Sequence, residues 1–250
     1  MVVQAEEGRL VTSSARILVA TAVPAERDAV ARAFVEPCQV VVPLPGVVLH
    51  RPDVAFDLLA AGVGPARAAA SVSAALTAAA LLGAPYTLVV SAGIAGGFLP
   101  DAPVGSLVVA DRITVADLGA ESADGFLPVT ELGFGTVTHR PPDSLVRAAE
   151  AATRGRTGEI LTVSTVTGTA ARATALRERH PDALAEAMEG FGVAEAADAH
   201  GTPVLEIRAV SNPVGPRDRA AWRIGEALAA LTKAFGKLVP ALESWHSHDQ

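Results

Sequence analysis

The sequence AMEGFGVAEAADAHGTPVLEIRAVSNPVGPRD, residues 187–218, decides the fold class. It starts with Met188-Glu189, continues as an Ala-rich helix, turns at a Gly-Thr-Pro segment and ends in the apolar strand Val204–Val210. A helix, a tight turn and an apolar strand of this length form half of an α/β unit, whose strand is covered on both faces. Polar groups just past the carboxyl end of such a strand face the ligand crevice of open α/β sheets. Asn212 is therefore predicted to contact a ligand.

Two carboxylates are candidate functional groups. Glu189 lies among Met188, Gly190 and Phe191, with no cation beside it in the sequence. Glu26 follows the first predicted strand, at the turn into a helix that starts near Pro24. An acid in the first turn of a helix is ordinarily explained by the helix dipole, and that interpretation stays open for Glu26.

The rest of the chain alternates strands and helices. Strands are predicted at Arg16–Ala22, Cys38–Leu44, Val47–His50, Phe56–Ala60, Thr87–Ser91, Gly105–Thr114 and Gly158–Ser164. Helices are predicted after Val23 and at Ala66–Leu82, Pro142–Thr153, Ala170–His180 and Arg219–Leu238. This order predicts an α/β fold in three layers, α/β/α, with a central mixed, twisted β-sheet flanked by helices. We expect residues 1–15 to form a disordered extension, 16–240 a single domain and 241–250 a flexible tail.

Composition narrows the function classes. The 250 residues carry a formal net charge of −7, which argues against binding to nucleic acid or anionic membranes and favours a small-molecule ligand. The single cysteine, Cys38, excludes an intramolecular disulfide framework, and His246 and His248 are only a weak metal candidate. Ala66–Leu82 is Ala-rich and is typical of a core helix rather than a membrane span. No secretory signal is recognised, so we expect a cytoplasmic protein. We also expect no bound metal.

Two segments are candidate ligand loops. Ala92–Gly97 holds three glycines, whose N–H groups can approach an anion or a sugar, but it lacks the GxGxxG fingerprint. Thr165–Thr169 is rich in hydroxyls, which either cap the next helix or contact the ligand beside Asn212. GxSxG, GxxxxGK[ST] and HExxH motifs are absent, so serine hydrolases, P-loop proteins and zincins lack support. Acid–base chemistry on a neutral polyol remains, with four loops expected on one edge of the sheet, after Ala22, Ser91, Ser164 and Ser211.

Several segments resemble one known family, the nucleoside phosphorylases and nucleosidases that include the methylthioadenosine/adenosylhomocysteine nucleosidases. They are ILVATAVPAERDAV around Glu26, GVGPARAAA, SAGIAGGF with the following VGSLVVAD, the Met188-Glu189 pair and IRAVSN. The order and spacing of these segments, between Arg16 and Leu238, carry the resemblance. The segment SNPVGPRDRAAW is similar to the futalosine hydrolase branch of the family. The resemblance implies a nucleoside phosphorylase-like fold and an enzyme that needs no cofactor.

Carried over position by position, the resemblance implies roles for individual residues. Glu26 matches the carboxylate that activates water, and Glu189 matches the carboxylate that holds the ribose hydroxyls, with Met188 packed against the sugar. An oxocarbenium-like sugar forms as the base departs, and carboxylates stabilise such charge. Further substrate contacts are expected from Ile94, Ala95, Gly96, Thr165, Thr167, Gly168 and Ser211.

Asn212 falls where adenine-specific members of the family carry an aspartate. An aspartate accepts from the amino group of adenine, whereas a 6-oxopurine presents an oxygen that an asparagine NH₂ satisfies. An unpaired partner would cost about 1–3 kcal/mol, enough to reverse the base preference. Hypoxanthine is therefore expected over adenine. The change also removes the obvious acid for the leaving base, which leaves water or an amide-assisted proton shift as the source of that proton.

The futalosine hydrolase branch implies hydrolysis of the N-glycosidic bond of futalosine, which releases hypoxanthine and dehypoxanthine futalosine on a route to menaquinone. The carboxylate of the 5′ substituent needs a partner, and Arg217 or Arg219 is the hypothesis, with an exposed helix start as the equally open alternative. The turn after the first strand carries only one cation, Arg27, which favours hydrolysis over phosphorolysis, while Arg67 keeps the second reaction open. The family also implies a homodimer or a higher homo-oligomer.

Other functions remain as alternatives. Within the same fold, the chain could be a methylthioadenosine/adenosylhomocysteine nucleosidase or a purine nucleoside phosphorylase, which differ in base preference and in the need for phosphate. A non-catalytic purine-binding module is disfavoured because Glu26 and Glu189 are both present. A nicotinamide oxidoreductase is disfavoured further, because the glycine fingerprint and the acid that follows it are missing.

Overall fold

The computed structural model describes residues 15–35 and 40–245. The strands are β1 Ile17–Thr21, β2 Val40–Leu44, β3 Val47–Asp53, β4 Phe56–Ala60, β5 Leu88–Gly97, β6 Leu107–Val115, β7 Gly119–Ser122, β8 Gly125–Pro128, β9 Thr138–His139, β10 Arg156–Thr162, β11 Ala183–Ala187 and β12 Val204–Pro213. The helices are α1 Pro24–Ala31, α2 Pro65–Leu81, α3 Asp143–Thr153, α4 Ala170–Arg179, α5 Gly190–Ala199 and α6 Ile224–Ser244. The expectations for residues 1–14, Cys38, His246 and His248 lie outside the described residues.

Most strands join one mixed sheet, with the order β11-β10-β6-β12-β5-β1-β4-β3-β2 and with β9 paired to β6. Parallel pairs join β1 to β4 and β5, β5 to β12, and β6 to β10, whereas β2–β3, β3–β4 and β6–β12 are antiparallel. A further antiparallel pairing of β11 with β5 closes β5, β12, β6, β10 and β11 into a ring. The predicted mixed sheet is confirmed.

Helices cover both faces of this sheet. Alternate residues of β1 point to opposite sides, so that Leu18 and Ala20 join one apolar cluster and Ile17 and Val19 join another. The first cluster lies under α2 and α5, and the second lies under α1, α3 and α6. A Cβ on Gly192 of α5 would stand 2.0 Å from the carbonyl oxygen of Pro65, so a glycine is needed where the two helices meet. The predicted α/β/α layering is confirmed.

The glycine segment Ala92–Gly97 is the end of strand β5, not a loop. Its backbone stays in register with β12, where Ala95 pairs with Val210 and Gly96 pairs with Asn212. β12 itself continues to Pro213, so Asn212 lies within the end of the strand rather than past it. The prediction of a loop after Ser91 is wrong, because pairing with a neighbouring strand holds these glycines in an extended conformation.

Three other boundaries differ from the sequence-based expectation. β11 was not predicted, and it pairs with both β10 and β5. A short 3₁₀ turn, Arg219–Ala221, precedes α6. The helix α6 then continues to Ser244, beyond Leu238, because Leu242 and Trp245 are buried and the indole N–H of Trp245 donates to Ser144 Oγ at 3.0 Å. Among the described residues, no helix is both long and apolar enough to cross a membrane.

Candidate active site

A cavity of about 510 Å³ opens at the carboxyl ends of β1, β5, β11 and β12. Its volume is in the range of pockets that bind small molecules. Residues from the ends of all four strands and from the first turn of α1 line it. The lining residues are Ala22, Val23, Glu26, Val63, Ile94, Ala95, Gly96, Val166, Thr167, Glu186, Ala187, Met188, Glu189, Ser211, Asn212, Val214, Arg219 and Trp222.

Glu26 turns its carboxylate back over the start of its own helix. Its Oε2 accepts from the N–H groups of Ala22 and Val23 at 2.9 and 3.2 Å, and its Oε1 accepts from Ile94 N–H in β5 at 2.9 Å. Burial raises the pKa of Glu26; Arg208 and the Ile94 N–H oppose this shift, and Glu189 adds to it. The helix-dipole interpretation of Glu26 is therefore incomplete, because the same carboxylate also binds β5 and lines the cavity.

Glu189 lies immediately before α5 and joins two distant segments. Its Oε1 accepts from the N–H of Gly64, in the GVGP segment before α2, at 3.2 Å. Its Oε2 accepts from Arg208 Nη1 at 3.3 Å. The carboxylate is buried and lines the cavity together with Met188. Glu189 is thus held by one backbone donor and one guanidinium.

Arg208 contacts the carboxyl groups of Glu189 and Glu206 and acts on that of Glu26 through its charge alone. It is 1% exposed and donates from Nε to Glu206 Oε1 at 2.8 Å and from Nη2 to Ser91 Oγ at 3.1 Å, besides its contact with Glu189. A Cβ on Gly93 would stand 2.6 Å from Glu26 Oε1 and 2.7 Å from Arg208 Nη1, so a side chain at this position would clash with both groups. Burial alone would lower the pKa of Arg208, but the three carboxyl groups raise it.

Glu206 is the most enclosed acid of this group. Only its Oε1 is hydrogen-bonded, and Oε2 has no partner among the described residues. Burial raises the pKa of Glu206, and Arg208 offsets this only in part. A Cβ on Gly190 would lie 2.1 Å from Oε2, so α5 can start directly above this carboxyl only with glycine there.

Asn212 and its neighbour Ser211 form the wall contributed by β12. Ser211 Oγ donates to Asn212 Oδ1 at 2.8 Å, and Asn212 Nδ2 donates to Pro213 O at 3.0 Å. These two bonds orient the amide. A primary amide has two N–H donors, so the second one is available to a ligand in the cavity.

Glu186 of β11 and Thr167, from the segment between β10 and α4, form another wall of the cavity. Glu186 Oε1 accepts from Thr167 N–H at 2.8 Å, and its Oε2 accepts from the Thr167 hydroxyl. Burial raises the pKa of Glu186, and the two bonds from Thr167 oppose the shift. Thr169, in the same segment, caps α4 by accepting from Arg172 N–H at 3.2 Å. The hydroxyl-rich segment therefore both caps a helix and reaches the cavity.

The structure brings together most of the residues singled out in the sequence. Those that line the cavity are Glu26, Ile94, Ala95, Gly96, Thr167, Met188, Glu189, Ser211 and Asn212. Thr165, Gly168 and Arg217 are not among the lining residues. The Arg217 guanidinium lies 5.8 Å from the ring centroid of Trp222, and its backbone N–H donates to Gly168 O at 3.2 Å. Arg219 and Trp222 reach the cavity instead.

Sequence reasoning missed Glu186, Glu206, Arg208 and Trp222. Glu206 and Arg208 are two residues apart in an otherwise apolar strand, which places both side chains on the same face. A charged pair at that spacing was the available signal. Glu186 carried no comparable signal, because the strand that holds it was not recognised.

The arrangement suits cleavage of a bond at a carbon that becomes positively charged. Glu26 and Glu189 present carboxylates to one apolar-walled cavity, where a developing cation would be stabilised. Burial and the proximity of like charges raise the pKa of Glu26, which strengthens it as a base for an adjacent water. Within residues 15–35 and 40–245, no group of three His, Cys, Asp or Glu side chains is placed to hold a metal ion.

Comparison with known proteins gives the family. Residues 20–242 match the family described as Phosphorylase superfamily. The chain is 76% identical over 234 residues to a futalosine hydrolase of Streptomyces coelicolor, which covers 94% of this chain and 99% of the relative. It is 47% identical to a futalosine hydrolase of Acidothermus cellulolyticus, over 90% of this chain and 91% of the relative.

A solved structure shares the fold. The structure of a futalosine hydrolase mutant of Helicobacter pylori superposes with a TM-score of 0.77 at 19% identity, over 90% of this chain and 99% of that chain. At this identity the likeness concerns the fold alone, whereas the family match and the two sequence relatives span most of the chain. The chain therefore belongs to the phosphorylase superfamily and, within it, to the futalosine hydrolases.

Proposed function

We propose that this chain hydrolyses the N-glycosidic bond of futalosine and releases hypoxanthine and dehypoxanthine futalosine. The observation that carries the proposal is the pair of carboxylates, Glu26 and Glu189, that line one cavity, where Arg208 binds Glu189 and its charge acts on Glu26. The 76% identity to a futalosine hydrolase over nearly the whole chain supports the substrate.

Glu189 and Glu26 have different roles in this mechanism. Glu189 binds the ribose hydroxyls and stabilises the sugar as C1′ becomes oxocarbenium-like. The bond from C1′ to the purine breaks, its electron pair leaves with the base, and a water oxygen bonds to C1′. Glu26 takes the proton from that water and later releases it to solvent, while the departing purine anion takes a proton from solvent water and leaves as neutral hypoxanthine. Met188, Ile94, Ala95 and Gly96 form the sugar-binding wall.

Asn212 selects the base. Ser211 orients its amide so that Nδ2 can donate to O6 of hypoxanthine. Adenine presents an amino group at the same place, and two donors facing each other leave a buried group unpaired at about 1–3 kcal/mol.

Arg219 is the proposed partner of the 5′ carboxylate, because it lines the cavity beside Trp222 and Arg217 does not. Arg219→Ala should raise the KM for futalosine by roughly tenfold, the loss of a charge-assisted hydrogen bond of about 1.5 kcal/mol. Arg217→Ala is the matched control and should change KM less. Equal KM values for Arg219→Ala and the unaltered chain would remove Arg219 from this role.

Water rather than phosphate is the proposed nucleophile. Arg27, the cation in the turn after β1, donates to Asp28 Oδ1 at 2.7 Å and lies 2.9 Å from His50 Nε2, away from the cavity lining. Arg219 is the one cation among the described lining residues, and it is assigned to the 5′ group.

A nucleoside panel tests the substrate. Purified protein is incubated with futalosine, 6-amino-6-deoxyfutalosine, methylthioadenosine and inosine, and the free base is quantified by chromatography. We expect hypoxanthine from futalosine as the fastest reaction. Faster adenine release from methylthioadenosine would assign the chain to the related nucleosidases, and no base from any substrate would favour a purine-binding module.

We further propose that the protein acts in the cytoplasm as a homo-oligomer, on the basis of the family resemblance. Size-exclusion chromatography with light scattering measures the assembly. A mass of a single 25.4 kDa chain at micromolar concentration would contradict the oligomer.

A further inference from the structure

Two hydrogen bonds hold the guanidinium of Arg208 back from the cavity. On β12, Glu206 pairs with Ser91 of β5 and Arg208 pairs with Gly93, so the four positions share one face of the sheet. Glu206 and Ser91 lie about 7 Å farther from the carboxyl ends of the strands than Arg208 does. Arg208 donates from Nε to Glu206 Oε1 at 2.8 Å and from Nη2 to Ser91 Oγ at 3.1 Å. Both bonds therefore draw the guanidinium back along the strand.

The guanidinium is also within reach of Glu26. A Cβ at Gly93 would stand 2.6 Å from Glu26 Oε1 and 2.7 Å from Arg208 Nη1, so both groups border the space above this glycine. Because position 93 has no side chain, that space is open to either group. Among the described residues, Arg208 nevertheless forms ion pairs with Glu189 and Glu206 and not with Glu26. The partners of the guanidinium, rather than a barrier, keep it from Glu26.

Glu206 can anchor Arg208 because its own carboxyl is confined. The residue is 0% exposed, and a Cβ on Gly190 would lie 2.1 Å from Glu206 Oε2, so the start of α5 closes the space beside it. Oε2 has no partner among the described residues, which leaves the bond from Arg208 to Oε1. A buried carboxyl with so few hydrogen bonds is costly for stability, which favours a role in the site over a role in the fold.

We propose that Glu206 is a positioning residue that holds Arg208 away from Glu26 and so keeps the Glu26 carboxylate free to take the proton from water. This role rests on the proposed futalosine hydrolysis and deepens it, since Glu206 does not line the cavity and acts through Arg208. An ion pair between Arg208 and Glu26 would stabilise the ionised carboxylate and make it a weaker base. It would also withdraw Arg208 Nη1 from Glu189, the carboxylate assigned to the ribose.

Glu206→Leu tests this role, because leucine removes the acceptor and keeps a side chain of similar size. Arg208 should then turn toward Glu26, on which Arg208 and Glu189 are the charged groups that act, and the pKa of Glu26 should fall. The rise of kcat/KM with pH reports the ionisation of the general base in the free enzyme. This acidic limb, measured with futalosine, should move down by about one pH unit. The plateau of kcat should fall about tenfold, because the base is weaker.

Two further variants distinguish position from charge. Glu206→Gln keeps an Oε1 acceptor for Arg208 Nε without a carboxylate charge, so it should restore most of the kcat that Glu206→Leu loses and keep the acidic limb near its original pH. Ser91→Ala removes the second bond to Arg208 with a smaller change in volume. It should move the limb in the same direction as Glu206→Leu but by less, and it provides the test if Glu206→Leu does not fold.

Asp57→Asn controls for a general loss of stability. Asp57 is a buried carboxylate that accepts from Arg51 and Tyr86 and does not line the cavity. Its replacement should lower the Tm and leave the acidic limb in place.

The outcomes separate this role from the proposed function. If the unaltered chain hydrolyses futalosine but Glu206→Leu and Ser91→Ala keep the acidic limb in place, the role of Glu206 is refuted and the proposed function stands. A limb that moves upward, or that moves equally far in Glu206→Gln or Asp57→Asn, refutes the role as well. If the unaltered chain releases no base from futalosine, both proposals are refuted.

Discussion

Two buried charged clusters in this protein differ in the ratio of acids to cations: one has more carboxyl groups than guanidinium groups, and the other has fewer. Beneath the cavity, three carboxyl groups, Glu26, Glu189 and Glu206, share Arg208. At the other cluster, a single buried carboxylate, Asp57, accepts from Arg51 Nε at 2.9 Å, from Arg16 Nη2 at 2.8 Å and from Tyr86 Oη at 2.6 Å.

The two ratios shift the pKa values of the acids in opposite directions. Burial would raise the pKa of Asp57, but the hydrogen bonds from Arg51 and Tyr86 outweigh it and lower that pKa. Burial raises the pKa of both Glu26 and Glu206, and Arg208 cannot offset it for both. Asp57 is thus a satisfied structural anchor between β4, β3 and the start of β1. The acid-rich cluster has three carboxyl groups for one guanidinium, a composition that suits a ligand with developing positive charge.

The largest expected effect is on turnover by Glu26→Gln. A glutamine keeps an acceptor for only one of the two sets of backbone N–H donors and cannot take a proton from water, so kcat for futalosine should fall about 10²- to 10⁴-fold. Steady-state kinetics measures this, with circular dichroism to confirm folding. A fall of less than tenfold would show that Glu26 is not the general base.

Arg208→Met tests whether the single guanidinium holds the acid-rich cluster together. Removing it leaves three buried carboxyl groups without a countercharge, and the free energy of unfolding should drop by about 3–5 kcal/mol in urea. Arg223→Ala is the control, because Arg223 forms an exposed pair with Glu226 and should cost at most about 1 kcal/mol. Similar losses in the two variants would mean that the cluster is not electrostatically coupled.

Asp57→Asn should affect stability and leave catalysis unchanged. It weakens hydrogen bonds from two arginines that are themselves partly exposed, at 20% and 32%, so the expected loss is about 1–3 kcal/mol. The kcat for futalosine should stay within twofold of the unaltered chain, measured where both are fully folded. A large fall in kcat would remove the distinction between the two clusters.

The smallest expected effect is on the pH dependence of stability, and its sign differs between the clusters. The folded-state pKa of Asp57 is lowered, so its stabilisation is present above the unfolded carboxyl pKa and is lost as pH falls through the folded value. The folded-state pKa of Glu206 is raised, so its contribution is full below the unfolded pKa and is lost as pH rises through the folded value.

Thermal unfolding of Asp57→Asn and Glu206→Gln across pH checks these signs. The Tm deficit of Asp57→Asn should shrink toward acid pH. The Tm of Glu206→Gln relative to the unaltered chain should improve from acid to neutral pH. Parallel pH profiles for the two variants would contradict the opposite pKa shifts.

The layers, most of the order of elements and the two cavity-lining carboxylates could be predicted from sequence, because Glu26 and Glu189 lie in apolar surroundings next to clear strand and helix patterns. β11 could not be, since its Ala and Glu residues favour helix and its strand conformation depends on pairing with β10 and β5. The loop expected after Ser91 failed for a related reason: glycine permits a turn, but pairing with β12 selects the strand.

The charged network around Glu189 could not be predicted, because its members are far apart in the sequence. Arg208 and Glu189 are 19 positions apart and Gly64 and Glu189 are 125 apart, so no local pattern connects them. Glu186 and Asn212 belong to different strands that each pair with Gly96 of β5.

Hydrolysis is tested most directly by hypoxanthine release from futalosine in phosphate-free buffer, followed over time and repeated with added phosphate. A hydrolase converts all the substrate without phosphate, gives an unphosphorylated sugar product by mass spectrometry and is not accelerated when phosphate is added. Release that requires phosphate and yields a sugar 1-phosphate would contradict hydrolysis and assign phosphorolysis to this cavity.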